Sequence, residues 1–222
     1  MSILRQFIGR LKLQWQGNNH IAGWSMTPDQ AVSFIKSLGK TMLTFYGYSG
    51  LEYEDEQEML KIAREVLSGY SPKTTLVNIG ATSVGIGGIY PLAKSMGFTT
   101  AGIVSTQALE YMEEISDSVD HICFIADDQW GGKLPGSDEL SPTSKAMVAC
   151  SDILVGIGGG GISLDEMLAG DAQGKQIIYF PADMNHENAS RQAKRRGLPP
   201  PESFKGTAHD TFVGKKSNQK NT

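Results

Sequence analysis

The sequence has few cysteines and lacks any long hydrophobic run. Its two cysteines, Cys123 and Cys150, lie far apart, and neither has another Cys or a His at the spacing of a zinc site. We therefore expect buried free thiols, no metal site and no other resident cofactor. No stretch of about 18 apolar residues is present, which argues against a membrane span. The first residues also lack the continuous apolar core of a secretory signal, so we expect a cytoplasmic protein.

A strong charge of either sign is also lacking. The net charge of −4 over 222 residues does not favour a general nucleic-acid binder. The charge is uneven, however, because the residues from Arg191 onward include eight Lys or Arg against only Glu202 and Asp210. A basic segment of this kind can contact phosphate or an acidic surface, although its composition is also that of a solvated tail.

Apolar strands and amphipathic helices alternate along most of the chain. A capping Thr27, followed by Pro28 and by Gln30 three residues after the cap, predicts a helix that ends near Gly39. About six apolar strands then alternate with helices, which indicates an α/β fold with a mostly parallel sheet and helices on both faces. The predicted organisation is a helical arm (1–39), an α/β domain (40–196) and a basic, irregular tail (197–222).

Two glycine-rich turns each follow a strand and precede a helix. Ligands of such sheets bind beyond the carboxyl ends of the strands, and the first N–H groups of a helix attract anions. The turns are therefore predicted to bind phosphate, with tight structural turns as the alternative; neither has a phosphate-loop or a clean dinucleotide-binding consensus. The predicted ligand-binding residues are Gly80, Thr82, Ser83, Gly85, Gly87 and Gly88 in the first turn, and Gly158, Gly159, Gly160, Gly161 and Ser163 in the second.

Polar and aromatic residues follow two other strands at the same predicted edge. Asp127, Asp128 and Trp130 follow one strand, and Tyr48 and Ser49 follow the first strand of the domain. Trp130 can stack on a base, and the acids can accept hydrogen bonds from ribose hydroxyls. The alternatives are an exposed loop with one aromatic anchor and ordinary turn packing.

Several segments resemble one known family. "GATSVGIGG" (80–88), "ACSDILVGIGGGGISLDEM" (149–167) and "TFYGYSG" (44–50) are similar to segments of the Lonely Guy, or lysine-decarboxylase-like, proteins. The resemblance spans roughly residues 40 to 183. It implies a place in the SLOG superfamily, a modified Rossmann-like fold, a nucleotide-type ligand and a homodimer. The superfamily includes hydrolases that cleave the base from nucleoside 5′-monophosphates, DprA-like DNA-processing proteins and sensors of nucleotide-derived ligands.

The resemblance also assigns candidate roles by position. Glu166 matches the family's motif Glu, which acts on the ribosyl group together with a nearby Arg. The Arg-Lys pair of the family falls on Thr143 and Ser144, and the nearest cation, Lys145, would face about 100° away on a helix. Glu166 and Lys145 are therefore the catalytic candidates, but the missing Arg favours a sensor or binding protein, or a weak hydrolase. A phosphoribohydrolase is the alternative, and a DprA-like role with nucleic acid is the second alternative.

Overall fold

The computed structural model describes residues 25–213, which form an α/β domain with a Rossmann-like fold. The strands of these residues are β1 (Thr41–Tyr46), β2 (Thr75–Ile79), β3 (Thr99–Ser105), β4 (His121–Ile125), β5 (Ile153–Ile157) and β6 (Gln176–Phe180). The six strands make one wholly parallel sheet in the order β4-β3-β2-β1-β5-β6. The predicted fold class is therefore confirmed.

Helices connect the strands and cover both faces of the sheet. The α-helices of the described residues are α1 (Pro28–Ser37), α2 (Glu56–Ser68), α3 (Ile89–Ser95), α4 (Pro142–Cys150), α5 (Gly161–Ala172), α6 (His186–Arg195) and α7 (Ala208–Phe212). Side chains buried on one face of the sheet pack against α2 and α3, and those on the other face pack against α1, α4 and α5.

The capping signals of the sequence explain several helix starts. Thr27 and Gln30 form the predicted capping box at α1, with Pro28 as its first residue. Ser141 Oγ accepts the Ser144 N–H at the start of α4, and Asn185 Oδ1 accepts the Asn188 N–H at the start of α6. These bonds satisfy N–H groups that the helices themselves leave unpaired.

The segment after β3 differs from its prediction. The pattern of residues 107–119 indicates a helix, but the structure has a 3-10 helix over Thr106–Glu114. A kink interrupts it at Tyr111, which has φ −129° and ψ 42°. The kink lies at the edge where the strands end.

The strand order reverses at β1. From β1 the chain moves outward through β2, β3 and β4, and it then returns to place β5 on the other side of β1. The loops after β1 and β5 consequently diverge at the carboxyl edge of the sheet. Such a divergence is the usual location of the ligand crevice in an open parallel sheet.

Part of the predicted irregular tail is ordered against the domain. Residues 208–212 form α7, and its Ala208 and Phe212 are buried. The Gly206 N–H donates a 2.7 Å hydrogen bond to Tyr48 Oη. Most of the predicted N-terminal arm and the last nine residues lie outside the described part of the chain. None of the helices in the described part is long and apolar enough to cross a membrane.

Candidate functional site

A cavity of about 720 Å³ lies at the carboxyl edge of the sheet, where β1 and β5 diverge. Its walls come from the loops after β1 and β2, the segment after β3, the first turns of α4 and α5, and the end of α6. Among the predicted site residues, those that line the cavity are Tyr48, Ser49, Gly80, Thr82, Trp130, Gly160, Gly161, Ser163 and Glu166.

The N-terminus of α5 forms one wall of this cavity. Gly160 is the N-cap and supplies no side-chain hydrogen bond to the helix. The N–H groups of Gly161, Ile162 and Ser163 precede the first main-chain bond of the helix, which runs from Leu164 N to Gly160 O. These three residues line the cavity. Their N–H groups and the helix dipole favour an anion at this wall.

Three glycines leave room at the cavity wall that the protein itself does not need. A Cβ atom built on Gly80, Gly160 or Gly161 would meet no protein atom within 4 Å. None of the three has a positive φ, so neither packing nor backbone conformation requires glycine there. The absence of a side chain instead lets a ligand approach the backbone closely.

The structure of the protein itself requires the two preceding glycines of the second turn. Gly158 has φ +62°, and its Cβ would lie 2.5 Å from Cε2 of Tyr48. Gly159 has φ +126°, and its Cβ would lie 2.7 Å from Cβ of Ser163. Close packing and backbone conformation require glycine at both positions, and neither residue lines the cavity.

Most of the first glycine-rich turn is occupied by contacts within the protein. A Cβ on Gly85 would collide with Tyr48 O, and a Cβ on Gly87 would collide with Thr82 O. Ser83 N donates to Glu114 O at 2.8 Å. The structure therefore does not bring Ser83, Gly85, Gly87 or Gly88 to the cavity, and only Gly80 and Thr82 of the predicted set reach it.

Glu166 lies at the cavity wall, one turn along α5 from its N-terminus, and only 4% of its surface is exposed. Ser144 Oγ donates a 2.5 Å hydrogen bond to Glu166 Oε1 and accepts a 2.6 Å bond from Gly132 N. Among the described residues, no basic side chain forms an ion pair with Glu166. Burial raises the pKa of Glu166 to about 8, although the Ser144 hydrogen bond opposes the shift. The carboxyl group is therefore mostly neutral at pH 7.

The loop before α4 closes the cavity beside Glu166. Gly131 and Gly132 both have positive φ, and the Lys133 N–H donates to Asp165 Oδ2 at 3.3 Å. Asp165 is thus half-buried in a contact with this loop. The loop fixes Trp130 at the cavity mouth, where its ring lies 5.9 Å from the ring of Tyr111.

The other predicted polar and charged residues do not line the cavity. Asp127 is buried and accepts hydrogen bonds from Thr143 N at 2.8 Å and from Gln129 N at 2.9 Å. Burial raises the pKa of Asp127, but these hydrogen bonds outweigh it and leave the pKa below its ordinary value. Asp128 is exposed, and Lys145 forms an exposed ion pair with Glu139.

No family model and no curated protein matches this chain. Several solved structures are similar in fold. The molybdenum cofactor binding protein from the phototrophic bacterium Rippkaea orientalis is 16% identical, with a TM-score of 0.48 over 71% of this chain and 85% of that chain. The Moco carrier protein from Chlamydomonas reinhardtii is 18% identical, with a TM-score of 0.45 over 71% of this chain and 85% of that chain. DNA processing protein A from Streptococcus pneumoniae is 11% identical, with a TM-score of 0.44 over 82% of this chain and 63% of that chain.

These similarities concern the fold alone, so the assignment to the Lonely Guy family remains a resemblance. The chemistry of the site is that of its own side chains. Among the described residues, no group of three or more His, Cys, Asp or Glu side chains could hold a metal ion. Burial raises the pKa of Cys123 and of Cys150 to about 12, which makes both thiols poor nucleophiles at neutral pH.

Several residues that line or support the cavity carry no clear signal in the sequence. The resemblance marks Ser144 only as a position that lacks the family's cation, yet its hydroxyl is the direct partner of Glu166. Arg196 and Gln192 line the cavity from the end of α6. The basic run that contains Arg196 was the available signal, but its composition alone does not place it at the ligand edge. No sequence pattern indicates that Tyr111 lines the cavity, because its position depends on the kink after β3.

Proposed function

We propose that this protein binds a nucleotide or nucleotide-derived ligand in the cavity at the carboxyl edge of the sheet. The phosphate of the ligand occupies the N-terminus of α5, beside Gly160 and Gly161. The sugar lies beside Glu166, and the flat ring lies at Trp130. Since α5 rises 1.5 Å per residue, Glu166 lies about 7.5 Å along the helix from Gly161, which suits a phosphate and a sugar on one ligand.

The observation that carries this proposal is the uncapped start of α5, which opens into the 720 Å³ cavity. Gly160 and Gly161 at this start are glycines that neither packing nor backbone conformation explains. A ligand that approaches the backbone closely gives such glycines a function, and an anion suits the unpaired N–H groups.

The state of Glu166 favours binding without rapid turnover. Stabilising an oxocarbenium-like centre requires an ionised carboxylate, as in glycoside hydrolysis. Here the Glu166 carboxyl is buried, its pKa is raised to about 8, and its hydrogen-bond partner is the neutral Ser144. A neutral carboxyl can both donate to and accept from ligand hydroxyls. A sensor or carrier therefore fits this geometry better than an efficient hydrolase.

Thermal unfolding with AMP and with adenosine tests the proposal. A ligand at 100 times its dissociation constant adds about 2.7 kcal/mol to the free energy of unfolding, which corresponds to a rise of about 5–10 °C in Tm for a chain of this size. We expect AMP to raise Tm more than adenosine, because only AMP places a phosphate at α5. If a panel of nucleoside monophosphates leaves Tm unchanged up to millimolar concentration, the proposal is wrong. Native mass spectrometry of the freshly isolated protein would identify a retained ligand directly.

One observation favours a second candidate function, hydrolysis of the N-glycosidic bond of a nucleoside monophosphate. A buried carboxyl with a raised pKa at a cavity wall is a typical general acid. In this reaction the oxygen of water bonds to the anomeric carbon and the carbon–nitrogen bond breaks. The departing base takes the proton of Glu166, and the proton lost by water restores the carboxyl group.

Release of free base from AMP, followed by chromatography, distinguishes the two candidates. Binding alone predicts a Tm shift with AMP and no free base above the level without protein. The hydrolase predicts free base in wild type and none with Glu166→Gln, provided that the variant still binds AMP. Activity that survives in Glu166→Gln would remove Glu166 from the reaction.

A further inference from the structure

A second, smaller cavity of about 140 Å³ adjoins the main one. The two cavities share Gly50, Leu51 and Gln192 as wall residues, so the small cavity, which we call the annex, extends the main cavity beneath α6. Its other walls are Asn188, Arg191 and Arg195. Its volume accommodates a group much larger than one water molecule.

The annex walls are fixed by contacts between α6 and the loop after β1. Asn188 Nδ2 donates to Leu51 O at 3.4 Å, and Asn185 N donates to Glu52 O at 3.2 Å. Glu54 Oε2 accepts a 2.9 Å hydrogen bond from His186 N at the start of α6. These bonds fix the N-terminal half of α6 to the loop, and Arg191 and Arg195 further along the helix lie beside Gly50 and Leu51.

The charge of the annex is positive. Arg191 pairs with Glu187 at 2.6 Å, but this pair is exposed and screened by solvent. Within residues 25–213, neither Arg195 nor Arg196 forms an ion pair with a carboxylate. Arg195 lines the annex, and Arg196 lines the adjoining part of the main cavity. Guanidinium groups bind phosphate oxygens through paired hydrogen bonds, and Asn188 and Gln192 add neutral donors.

We propose that the annex binds a second anionic group of the ligand, so that the preferred ligand class is a nucleoside diphosphate or a diphosphate-linked nucleotide. The inference rests on the proposed function, because the first anionic group is the phosphate at α5. One continuous cavity then offers two separate anion sites, one formed by main-chain N–H groups and one by arginine side chains. The start of the basic run, at residues 191–196, is thereby part of the ligand site.

Isothermal titration of the full chain with AMP and ADP tests this proposal. We expect wild type to bind ADP at least about tenfold more tightly than AMP, since hydrogen bonds between charged groups exceed about 1.4 kcal/mol. The double variant Arg191→Gln/Arg195→Gln should bind AMP as wild type does and lose the preference for ADP. Lys194→Gln, which removes a charge from the same helix away from both cavities, should keep the preference.

Equal affinities of wild type for ADP and AMP would overturn the proposal, as would a preference that survives in the double variant. If neither nucleotide binds, the proposed function fails, and inorganic pyrophosphate then tests the annex alone. Pyrophosphate binding that the double variant loses would support the annex as an anion site, and no binding would overturn it. A single-stranded oligonucleotide serves as a further probe: if the double variant weakens oligonucleotide binding but not the ADP preference, the arginines serve nucleic acid instead.

Discussion

The hydroxyl of Ser144 donates a 2.5 Å hydrogen bond to Oε1 of Glu166, a residue that is only 4% exposed to solvent. Ser144 occupies the position at which the resemblance places the second residue of an Arg-Lys pair. In the structure the side chain at this position lies beside Glu166 and is neutral. Without a cation, burial dominates and the carboxyl group holds its proton. This relationship underlies the preference for binding over turnover.

The stability of the protein should decrease with pH because of Glu166. The unfolded carboxyl ionises near its ordinary pKa of 4.5, whereas the folded carboxyl ionises near 8. The contribution of Glu166 is therefore fully present below about pH 4.5 and is lost as the pH rises through 8, by up to about 1.4 kcal/mol per pH unit. Urea unfolding between pH 5 and 9 should show a flatter profile for Glu166→Gln than for wild type. Glu113→Gln, an exposed control, should follow the wild-type profile; if Glu166→Gln also follows it, the carboxyl is not buried as described.

Removal of the Ser144 hydroxyl should weaken the fold and shift the titration of Glu166. Ser144→Ala leaves Gly132 N and Glu166 Oε1 without their partner, which costs about 1–3 kcal/mol. The pKa of Glu166 should rise further, because the lost hydrogen bond favours the ionised carboxyl. The measurement is urea unfolding at pH 7 and its pH dependence. Lys145→Ala, which breaks only an exposed ion pair, should cost less than about 1 kcal/mol; an equal loss in the two variants would contradict the account.

Alanine at two glycines of the second turn should have opposite effects on stability. Gly158→Ala forces a Cβ against the ring of Tyr48 at positive φ and should destabilise the protein by at least about 1 kcal/mol. In Gly161→Ala the new Cβ meets no protein atom and the backbone conformation suits alanine, so stability should rise by about 0.4–1 kcal/mol because the unfolded chain has less conformational freedom. The same Gly161 variant should bind AMP more weakly. Chemical unfolding and titration calorimetry measure both effects, and unchanged AMP affinity in Gly161→Ala would exclude this wall as the phosphate site.

The Tyr48 hydroxyl should contribute to stability rather than to ligand chemistry. Its oxygen accepts from Gly206 N at 2.7 Å and donates to Ala182 O at 3.1 Å. Tyr48→Phe leaves both main-chain groups without this partner and should lower the free energy of unfolding by about 1–3 kcal/mol. Hydrogen exchange should accelerate at residues 206–213, which this bond attaches to the domain. Unchanged exchange there would show that other contacts hold the segment.

Trp130 should contribute to ligand affinity without contributing to stability. Its side chain is half exposed at the cavity mouth, next to Tyr111. Stacking of a base on an aromatic ring is worth about 1–3 kcal/mol, so Trp130→Ala should weaken AMP binding about 5- to 150-fold with little change in Tm. Leu109→Ala, an exposed apolar control outside the cavity, should leave the affinity unchanged. Wild-type affinity in Trp130→Ala would place the ring of the ligand elsewhere.

The sequence predicted the order of the strands and helices well because each signal is local. The capping box at Thr27 needs only four residues, and the apolar strands need only their own composition. The separate roles of the glycines could not be predicted in the same way. Gly158 and Gly161 are three residues apart in one turn, yet one is required by the ring of Tyr48 and the other faces open space. That difference exists only once β1 and β5 lie side by side.

Contacts between side chains of the site could not be predicted either, because they join residues that are far apart in the sequence. Ser144 meets Glu166 through the packing of α4 against α5, and Arg196 reaches the cavity because α6 is anchored to the loop after β1. Asp127 is a residue that was predicted to contact the ligand but that binds the protein itself. Its position after β4 suggested a ligand contact, but the N–H of Thr143 at the start of α4 already occupies its carboxylate.

The proposed function depends above all on a phosphate bound at the N-terminus of α5. Backbone amide NMR of the labelled protein, titrated with AMP and with adenosine, measures this directly. We expect AMP to shift the amide resonances of Gly161, Ile162 and Ser163 strongly, adenosine to shift them much less, and Gly161→Ala to reduce the response to AMP. Equal shifts with adenosine, or AMP shifts confined to residues away from this turn, would contradict it.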